Sequence, residues 1–225
     1  MGDRTAVLNA LADRVQARSR ELVHPCRVGI DGADGAGKTT LRCDLATELR
    51  ARGIQVIEAS LDDFHHVKAR RYRRGRDSWQ GYWHDAFDLR RVRRELLEPL
   101  GLAGDLRYRT RGHDLATDEV LDGPWESADL DSVLLFDGVL LQRPELAQAL
   151  DYVIFVDAPE DERYRRMAVR DGIDPDPEAL KNLRYTLVQR HYRWSREPLR
   201  WADAVVDNTD PELPELVPPA VAPTR

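Results

Sequence analysis

The sequence has 225 residues, of which 42% are hydrophobic and 33% charged, as expected of a folded chain with its own core and not of a disordered one. Its formal net charge of −6 argues against generic nucleic-acid binding, and no apolar run approaches the ~20 residues of a membrane span. The first 22 residues lack the apolar segment of a signal peptide and two cysteines are too few for a disulfide framework, so we expect a cytoplasmic protein.

The first predicted elements are a helix, a strand and a second helix. Apolar residues at helical spacing predict the leading helix over residues 5–22. An apolar run predicts the first strand over residues 27–31, and helix-forming residues follow at 41–52, ended by Gly53. Between the strand and the second helix, residues 32–39 have the sequence GADGAGKT, which matches the phosphate-loop pattern G-x-x-x-x-G-K-[ST].

This phosphate loop is the most informative part of the sequence because its physical role is specific. Glycines let successive backbone N–H groups point at a polyphosphate, and the following helix presents its positive N-terminal end to the same anion. We expect Lys38 to reach the outer phosphates of ATP or GTP and Thr39 to offer its hydroxyl to Mg²⁺. A chance match is the alternative, which the flanking strand and helix disfavour. The predicted nucleotide-binding residues are Gly32, Asp34, Gly35, Ala36, Gly37, Lys38, Thr39 and Thr40.

A second strand, predicted over residues 54–60, ends at two aspartates. Asp62 could accept the proton of a substrate hydroxyl or lie in the shell of a metal, and Asp63 is a candidate for the same role. A helix cap or turn is the alternative for Asp62. Because ligands of parallel sheets bind beyond the ends of the strands, we place Asp62 in the site.

Residues 66–125 interrupt the alternation of strands and helices. Within them, residues 88–97 look helical, and residues 106–108 and 119–121 could form two arms of a hairpin. The basic stretch 68–76 is either a mobile segment near the phosphates or the acceptor, or a solvated loop.

The alternation then resumes, and the tail 211–225 is proline-rich and predicted to be loose. The later predicted elements are a strand over residues 132–137, a short helix over 144–150, a strand over 152–156, helices over 160–169 and 178–193, and a last strand over 204–206. This order predicts a three-layer α/β/α fold with a mainly parallel sheet. The phosphate loop, Asp62 and Asp137 all follow strand ends, so they should meet at one edge.

Two further features of this edge carry charge. Asp137 follows four apolar residues, and a carboxylate there is expensive to bury unless it is paired or near a metal. An exposed strand end is the alternative. Arg163, Arg166 and Arg170 recur at spacings of three and four and share one helix face, which predicts a lid over the triphosphate. A solvated helix face paired with nearby acidic residues is the alternative.

Five motifs in this order resemble the uridine kinase and phosphoribulokinase family of phosphate-loop kinases, and uridine kinases most closely. They are VGIDGADGAGKTT at 28–40, SLDDF at 60–64, DAFD at 85–88, LFDG at 135–138, and R-x-x-R-x-x-x-R-D at 163–171. The resemblance covers residues 27–210 and implies a single kinase domain over residues 1–210. In that domain, residues 66–125 would be an acceptor-binding insertion and residues 163–178 an arginine-rich lid.

The resemblance implies catalytic roles position by position. Asp62 matches the aspartate that serves as catalytic base, and Arg170 matches a lid arginine; both would contact the acceptor. Asp137 matches an acidic residue of the Mg²⁺ shell, usually glutamate, and would serve the metal together with Thr39. With Lys38 and Arg166, which we expect to hold and steady the phosphates, Asp62 and Arg170 form the predicted catalytic set.

The resemblance implies that three other residues contact a nucleobase. Tyr108 and His113 lie five apart, like a Tyr and a His that contact the pyrimidine base in uridine kinases. An ordinary half-buried strand residue and a turn residue are the respective alternatives. Asn208 follows the last strand, where the resemblance places a loop on the nucleotide side, and could approach the adenine.

The sequence also departs from the family pattern. His65 stands where Tyr is frequent, and Met167 stands where a second lid arginine is common. Uridine kinases usually carry an aspartate for the ribose hydroxyls just before H-P-D-A-F-D, whereas residues 81–84 here are GYWH. These departures leave the implied kinase activity intact and bear on the acceptor.

The resulting hypothesis is a kinase that uses ATP or GTP with Mg²⁺ and phosphorylates a small hydroxyl acceptor, above all the 5′-hydroxyl of uridine or cytidine. Pantothenate, ribulose phosphate or another sugar remain open as acceptors. A switch that hydrolyses its triphosphate is the rival from another class, although neither N-K-x-D nor T-K-x-D occurs in the sequence. Uridine kinases are often oligomers, so a homo-oligomer is also open.

Overall fold

The computed structural model describes residues 4–218, in which a central sheet lies between two layers of helices. The strands are β1 (Cys26–Asp31), β2 (Val56–Ser60), β3 (Arg107–Tyr108), β4 (His113–Asp114), β5 (Glu119–Val120), β6 (Glu126–Ser127), β7 (Val133–Gly138), β8 (Tyr152–Asp157), β9 (Ala204–Asp207) and β10 (Glu215–Val217). The helices are α1 (Arg4–Arg20), α2 (Lys38–Ala51), α3 (Lys68–Arg71), α4 (Trp79–Asp85), α5 (Leu89–Val92), α6 (Pro144–Ala147), α7 (Glu160–Asp171), α8 (Leu183–Arg196) and α9 (Pro198–Trp201). A 3₁₀ turn covers Leu61–Phe64, and a π-helical turn covers Arg93–Leu97.

Six strands form the main sheet in the order β10-β9-β8-β1-β7-β2, and every pair is parallel except β10 with β9. The predicted three-layer α/β/α fold is therefore confirmed. Strands β1, β7 and β8 are buried along nearly their whole length because both of their faces are covered. In the register, Asp137 lies beside Ile30 of β1 and Ser60 of β2, so three carboxyl ends meet at one edge.

Each face of the sheet has its own hydrophobic core. On one face, α1 and α2 contribute Leu11 and Leu45, which are fully buried. On the other face, Phe64, Leu96 and Tyr192 pack together from the 3₁₀ turn, the π-helical turn and α8. Burying one such side chain contributes about 1.5–3 kcal/mol, so the sheet edge that carries the site is rigidly supported. In the described part of the chain, no helix is long and apolar enough to cross a membrane.

The elements around the phosphate loop lie close to their predicted positions, and residues 88–97 are helical in two short pieces, α5 and the π-helical turn. The helix predicted over residues 178–193 instead begins at Leu183. Asn182 Nδ2 donates to the carbonyl oxygens of Asp174 and Asp176 (2.9 and 2.7 Å), which holds the preceding segment in turns. The acidic and proline-containing sequence before α8 is thus a structured connection.

The predicted hairpin between residues 106–108 and 119–121 is wrong. β3 pairs with β6, and β4 pairs with β5 inside the resulting loop. Asp114 Oδ1 accepts hydrogen bonds from the backbone N–H groups of Ala116 and Thr117 (2.9 and 3.1 Å). This local turn joins β4 directly to β5, a preference that strand propensity alone does not detect.

The tail predicted to be loose is ordered in part. β10 pairs antiparallel with β9, and it packs Leu216 and Val217 against the cores on opposite faces of the sheet. This alternation of apolar contacts explains why a proline-rich segment still forms an edge strand. Residues 219–225 of the predicted tail lie outside the described residues.

Candidate active site

The phosphate loop joins β1 to α2, and its shape depends on its glycines. Gly35 (φ 76°) and Gly37 (φ 99°) lie in the left-handed region of the backbone. A Cβ atom at Gly35 would lie 2.6 Å from the carbonyl oxygen of Arg163, and one at Gly37 would clash with Asn208 Nδ2. The loop is therefore packed tightly between α7 and the segment after β9, with the N-terminal end of α2 facing the same space.

A buried carboxylate that the sequence argument did not single out anchors the start of the loop. Asp31, at the end of β1, accepts hydrogen bonds from the backbone N–H groups of Gly32 and Leu141 (2.8 and 3.2 Å), from Gln142 Nε2 (3.2 Å) and from the Tyr192 hydroxyl. Burial raises the pKa of Asp31, and these donors counteract the shift. The network ties the loop to α8.

The first residues of α2 point their polar groups at the sheet edge. Lys38 Nζ donates to the carbonyl oxygen of Ala33 (2.8 Å), which lays the ammonium group over the phosphate loop. Thr39 Oγ1 donates to Asp137 Oδ2 (2.7 Å). The structure therefore brings together Thr39 and Asp137, the two residues predicted to serve a metal.

The oxygens of Thr39 and Asp137 fit Mg²⁺. Hydroxyl and carboxylate oxygens are the hard donors that this ion prefers, and in phosphate-transfer sites it usually takes only one or two carboxylates beside substrate phosphates. Among residues 4–218, no group of three or more His, Cys, Asp and Glu could hold a metal.

Arg42 balances the charge of Asp137. Asp137 is 2% exposed, and Arg42 Nη1 donates to its Oδ1 (2.6 Å). Arg42 also lies 3.3 Å from Glu58 Oε2. This arginine was not predicted from the sequence, although its position three residues after Thr39 places it on the same side of α2. Arg42 explains how a carboxylate can be buried at this edge.

Asp62 lies in the 3₁₀ turn after β2, where its side chain reaches solvent but is surrounded by protein groups. The resulting desolvation is the main cause that raises the pKa of Asp62 to about 6. The charges of Asp34 and Asp137 act in the same direction, and that of Lys38 opposes them. Asp62 is thus electrostatically coupled to the phosphate loop, and a carboxylate with such a pKa is suited to accept a proton.

The neighbours of Asp62 have other partners. Asp63 Oδ1 accepts a hydrogen bond from Arg111 Nε (2.9 Å). His65 Nδ1 lies 2.8 Å from the carbonyl oxygen of Asp62, and its ring packs against Phe87 with a centroid distance of 4.4 Å. Burial lowers the pKa of His65 to about 4, so the ring is neutral and donates to that carbonyl oxygen. His65 therefore fixes the turn that carries Asp62.

The three arginines of α7 have different environments. Arg163 is buried and donates to the carbonyl oxygens of Ala158 and Asp34 (3.2 Å each). Arg166 Nη2 donates to the carbonyl oxygens of Asn208 and Thr209 (2.8 Å each). Arg170 pairs with the neighbouring Asp171, and its side chain is 70% exposed. Arg163 thus supports the loop, whereas Arg170 lies largely exposed at the end of α7.

The first of two cavities next to the loop, the nucleotide cavity, has a volume of about 230 Å³. Its lining includes Gly35, Gly37, Lys38, Thr39, Thr40, Arg166, Met167, Arg170 and Asn208, and also Arg4, Val7 and Leu8 of α1. Asn208 is at its wall, but its Nδ2 donates to the carbonyl oxygen of Ala36 (2.7 Å), so it also supports the loop. The contribution of α1 has no signal in the sequence.

The second cavity, here called the lid cavity, has a volume of about 900 Å³ and lies beneath the end of α7. It is lined by Asp34 of the phosphate loop, by Met167 and Arg170, and by residues 171–175 and 179–182 together with Tyr164 and Tyr185. Met167 and Arg170 line both cavities. Arg170 therefore stands where the two cavities meet.

The structure places Tyr108 and His113 outside the lining of both cavities. Tyr108 is buried in the core, and its hydroxyl lies 3.5 Å from Glu126 Oε2. His113 is 1% exposed, and its Nε2 lies 3.2 Å from Asp118 Oδ1. Both side chains are occupied in holding the short strands of the insertion together.

The basic stretch 68–76 is partly neutralised by acidic side chains. Arg74 Nε donates to the buried Asp85 (2.8 Å), and Arg73 pairs with the same carboxylate (2.5 Å). Arg71 pairs with Asp118 (3.2 Å). These ion pairs give the stretch a structural role beside the D-A-F-D motif that begins at Asp85.

Comparisons with known proteins show two uridine kinases with similar sequences. Uridine-cytidine kinase B of Dictyostelium discoideum is 30% identical over 152 residues, which are 66% of this chain and 59% of that protein. Uridine kinase of Leuconostoc citreum (strain KM20) is 31% identical over 157 residues, which are 65% of this chain and 69% of that protein. The chain thus spans less than two thirds of the length of the first relative and slightly more than two thirds of the length of the second. No family model matches the sequence.

A solved structure of "a possible uridine kinase" from Bacillus stearothermophilus has the same fold. It superimposes with a TM-score of 0.65 at 25% sequence identity, covering 87% of this chain and 98% of the other. The structural match therefore extends well beyond the phosphate loop that many proteins share.

Proposed function

The chain belongs to the uridine kinase and phosphoribulokinase family, and from this we propose that it transfers the terminal phosphoryl group of ATP or GTP to the 5′-hydroxyl of uridine or cytidine. It is a kinase by its relatives. The names of those relatives support a pyrimidine nucleoside as the acceptor.

The observation that carries the proposal is the contact between the two cavities at the phosphate loop. Gly35 and residues 37–40 contribute to the nucleotide cavity, Asp34 contributes to the lid cavity, and Arg170 lines both. A nucleotide in the first cavity and a hydroxyl acceptor in the second would approach each other beside Arg170. Phosphoryl transfer requires such in-line positioning more than it requires covalent chemistry by the protein.

The donor side would act through the loop and α2. Backbone N–H groups of residues 34–40 and the ammonium group of Lys38 would bind the phosphates. Thr39 and Asp137 would hold Mg²⁺, which supplies charge neutralisation at the phosphates when bound. Arg166 would keep the segment after β9 against the nucleotide through its bonds to Asn208 and Thr209.

The acceptor side would act through Asp62. Its carboxylate takes the proton of the acceptor hydroxyl while that oxygen forms a bond to the terminal phosphorus and the bond from phosphorus to the nucleoside diphosphate breaks. Arg170 would stabilise the charge on the transferred group as residues 163–178 close as a lid. Residues 66–125 would form the acceptor-binding insertion.

Other acceptors remain as alternatives. Tyr108 and His113, which the resemblance assigns to the pyrimidine base, are buried and engaged with Glu126 and Asp118. This arrangement keeps pantothenate, ribulose phosphate and other sugars as second candidates. A hydrolysing switch is the third candidate, and the cavity next to Asp34 disfavours it because a switch needs no acceptor.

The test is turnover by the purified chain with ATP or GTP, in Mg²⁺ or in EDTA, on a panel of nucleosides, pantothenate and sugar phosphates. We expect phosphorylation of uridine or cytidine that requires Mg²⁺, with little hydrolysis when the acceptor is omitted. Turnover on another panel member would replace the acceptor and keep the kinase mechanism. Equal hydrolysis with and without acceptors would support the switch and overturn the proposal.

A further inference from the structure

Asp34 lines a different cavity from the other polar residues of the phosphate loop. Lys38, Thr39 and Thr40 line the nucleotide cavity, whereas Asp34 lines the lid cavity with Arg170 and Tyr185. A carboxylate would also repel the phosphates that the loop binds. The side chain of Asp34 is therefore not explained by nucleotide binding.

One oxygen of this carboxylate has no partner. Asp34 Oδ2 is buried from solvent and accepts no hydrogen bond from any group in residues 4–218. A buried carboxylate oxygen without a donor is costly, so such an atom in a functional site indicates a partner that arrives with a ligand. The lid cavity beside it supplies the space for that ligand.

The backbone at Asp34 is held in place. Arg163 Nη1 donates to the carbonyl oxygen of Asp34 (3.2 Å), and Gly35 approaches the carbonyl oxygen of Arg163 closely. Arg163 itself is 4% exposed, so this contact does not depend on a mobile side chain. The Asp34 carboxylate is thus presented to the cavity from a fixed position, as recognition of a specific group requires.

The charge of Asp34 also acts on Asp62, the predicted catalytic base. This negative charge is one of the causes that raise the pKa of Asp62, second only to burial. The same charge helps to raise the pKa of Tyr82, which is buried. The Asp34 carboxylate therefore acts electrostatically on groups outside the phosphate loop, including the residue that would activate the acceptor.

We propose that the Asp34 carboxylate accepts a hydrogen bond from a second hydroxyl of the acceptor, beside the hydroxyl that Asp62 activates. The site then selects polyhydroxylated acceptors, such as a ribonucleoside, over acceptors that lack the second hydroxyl. This inference rests on the proposed function, and Asp34 acts in it as a specificity-determining residue.

The test measures kcat and KM of the wild type, Asp34→Ala and Asp34→Asn with uridine, 2′-deoxyuridine and 3′-deoxyuridine. A hydrogen bond to a charged group predicts a fall in kcat/KM for uridine of about 10- to 100-fold in Asp34→Ala. We expect kcat/KM of the wild type to be lower by a similar factor for at least one deoxy acceptor than for uridine. For that deoxy acceptor, Asp34→Ala should lower kcat/KM by at most about twofold further, because the hydrogen bond is already absent. Asp131→Ala, in an exposed turn before β7, is the matched control and should behave as the wild type.

The outcomes separate the inference from its premise. If the wild type phosphorylates uridine and Asp34→Ala lowers kcat/KM by the same factor for all three acceptors, the role of Asp34 is overturned and the kinase proposal stands. A raised KM for ATP in both Asp34 variants, with unchanged acceptor selectivity, would assign Asp34 to the donor side and also overturn it. If the wild type does not phosphorylate uridine, the nucleoside proposal is overturned. The variants are then compared on the panel member that the wild type does phosphorylate and on the analogue of that compound that lacks one hydroxyl. If Asp34→Ala does not change the preference between these two compounds, the inference is overturned as well.

Discussion

The donor side and the acceptor side of this site are built from different parts of the chain. The phosphate-binding part of the donor side consists of one continuous loop and the first turn of α2, between parallel strands that are buried almost completely. Side chains of α1 and α7 and Asn208 complete the wall of the nucleotide cavity. The lid cavity gathers single side chains from the loop, α7, the segment before α8 and α8 itself. Asp62 of the 3₁₀ turn does not line this cavity and is linked to it through the charge of Asp34. The first uses backbone geometry, and the second uses side chains that only the folded chain brings together.

This difference has a physical consequence for specificity. Backbone N–H groups and a helix end bind any polyphosphate, so a donor side of this kind serves many kinases. The acceptor side must distinguish hydroxyl compounds, and it can do so through isolated groups such as Asp34 and Tyr185 in the lid cavity. Substitutions should therefore affect donor and acceptor kinetics separately.

The largest effect is expected from Asp62→Asn. The amide cannot take the hydroxyl proton, so we expect kcat to fall by about 10²- to 10⁴-fold while the affinity for ATP changes little. Single-turnover phosphorylation and a nucleotide-binding titration measure the two quantities. Near-normal turnover would mean that another residue is the catalytic base. Asp63, which pairs with Arg111, would be the first residue to examine.

A second large effect is expected on the donor side from Lys38→Ala. Loss of the ammonium group should lower kcat/KM for ATP by about 10²-fold, because charge-assisted contacts to phosphate are strong, and it should leave acceptor binding nearly unchanged. Initial rates at varied ATP and varied acceptor separate the two. Lys68→Ala, in the basic stretch, is the matched control; an equal loss there would mean that the stretch also serves the phosphates.

The sequence allowed the donor side to be predicted in detail because its determinants are consecutive. The glycines, Lys38 and Thr39 lie in one loop, and the strand that ends at Asp137 is recognisable from its apolar run. The joining of Thr39 to Asp137 followed from the parallel order of the strands. The fold class follows from the same alternation of elements.

The acceptor side was predicted less well because its contacts join distant residues. The pairing of β4 with β5 depends on a turn stabilised by Asp114, which no periodicity reveals. Arg163 shares a helix face with Arg170 in the sequence pattern, yet it is buried against the loop whereas Arg170 is exposed. The burial of Arg163 depends on the packing of α7 on the phosphate loop, which the sequence pattern does not contain.

A smaller effect, on the pH dependence, tests the coupling between the two sides. Asp62 must be ionised to accept a proton, and its pKa is raised to about 6. We therefore expect kcat/KM for the acceptor to be constant above this pH and to fall about tenfold per unit below it. Asp34→Asn removes one cause of the raised pKa, so the midpoint should move to lower pH. Rates across a pH series measure both values, and a midpoint that stays in place would separate Asp34 from Asp62.

The smallest effect is expected from Tyr108→Phe, which tests whether the insertion contacts the acceptor through this residue. The hydroxyl has a long contact of 3.5 Å with Glu126, and the ring is buried in the core. Because Phe keeps the ring, we expect KM for uridine to change by less than about twofold and stability to change by at most about 1 kcal/mol. Tyr185→Phe, in the lid cavity, is the matched comparison, and acceptor titrations with thermal unfolding measure both variants. A large rise in KM for Tyr108→Phe alone would mean that the insertion rearranges around the bound acceptor, and the acceptor side would then be completed only on binding.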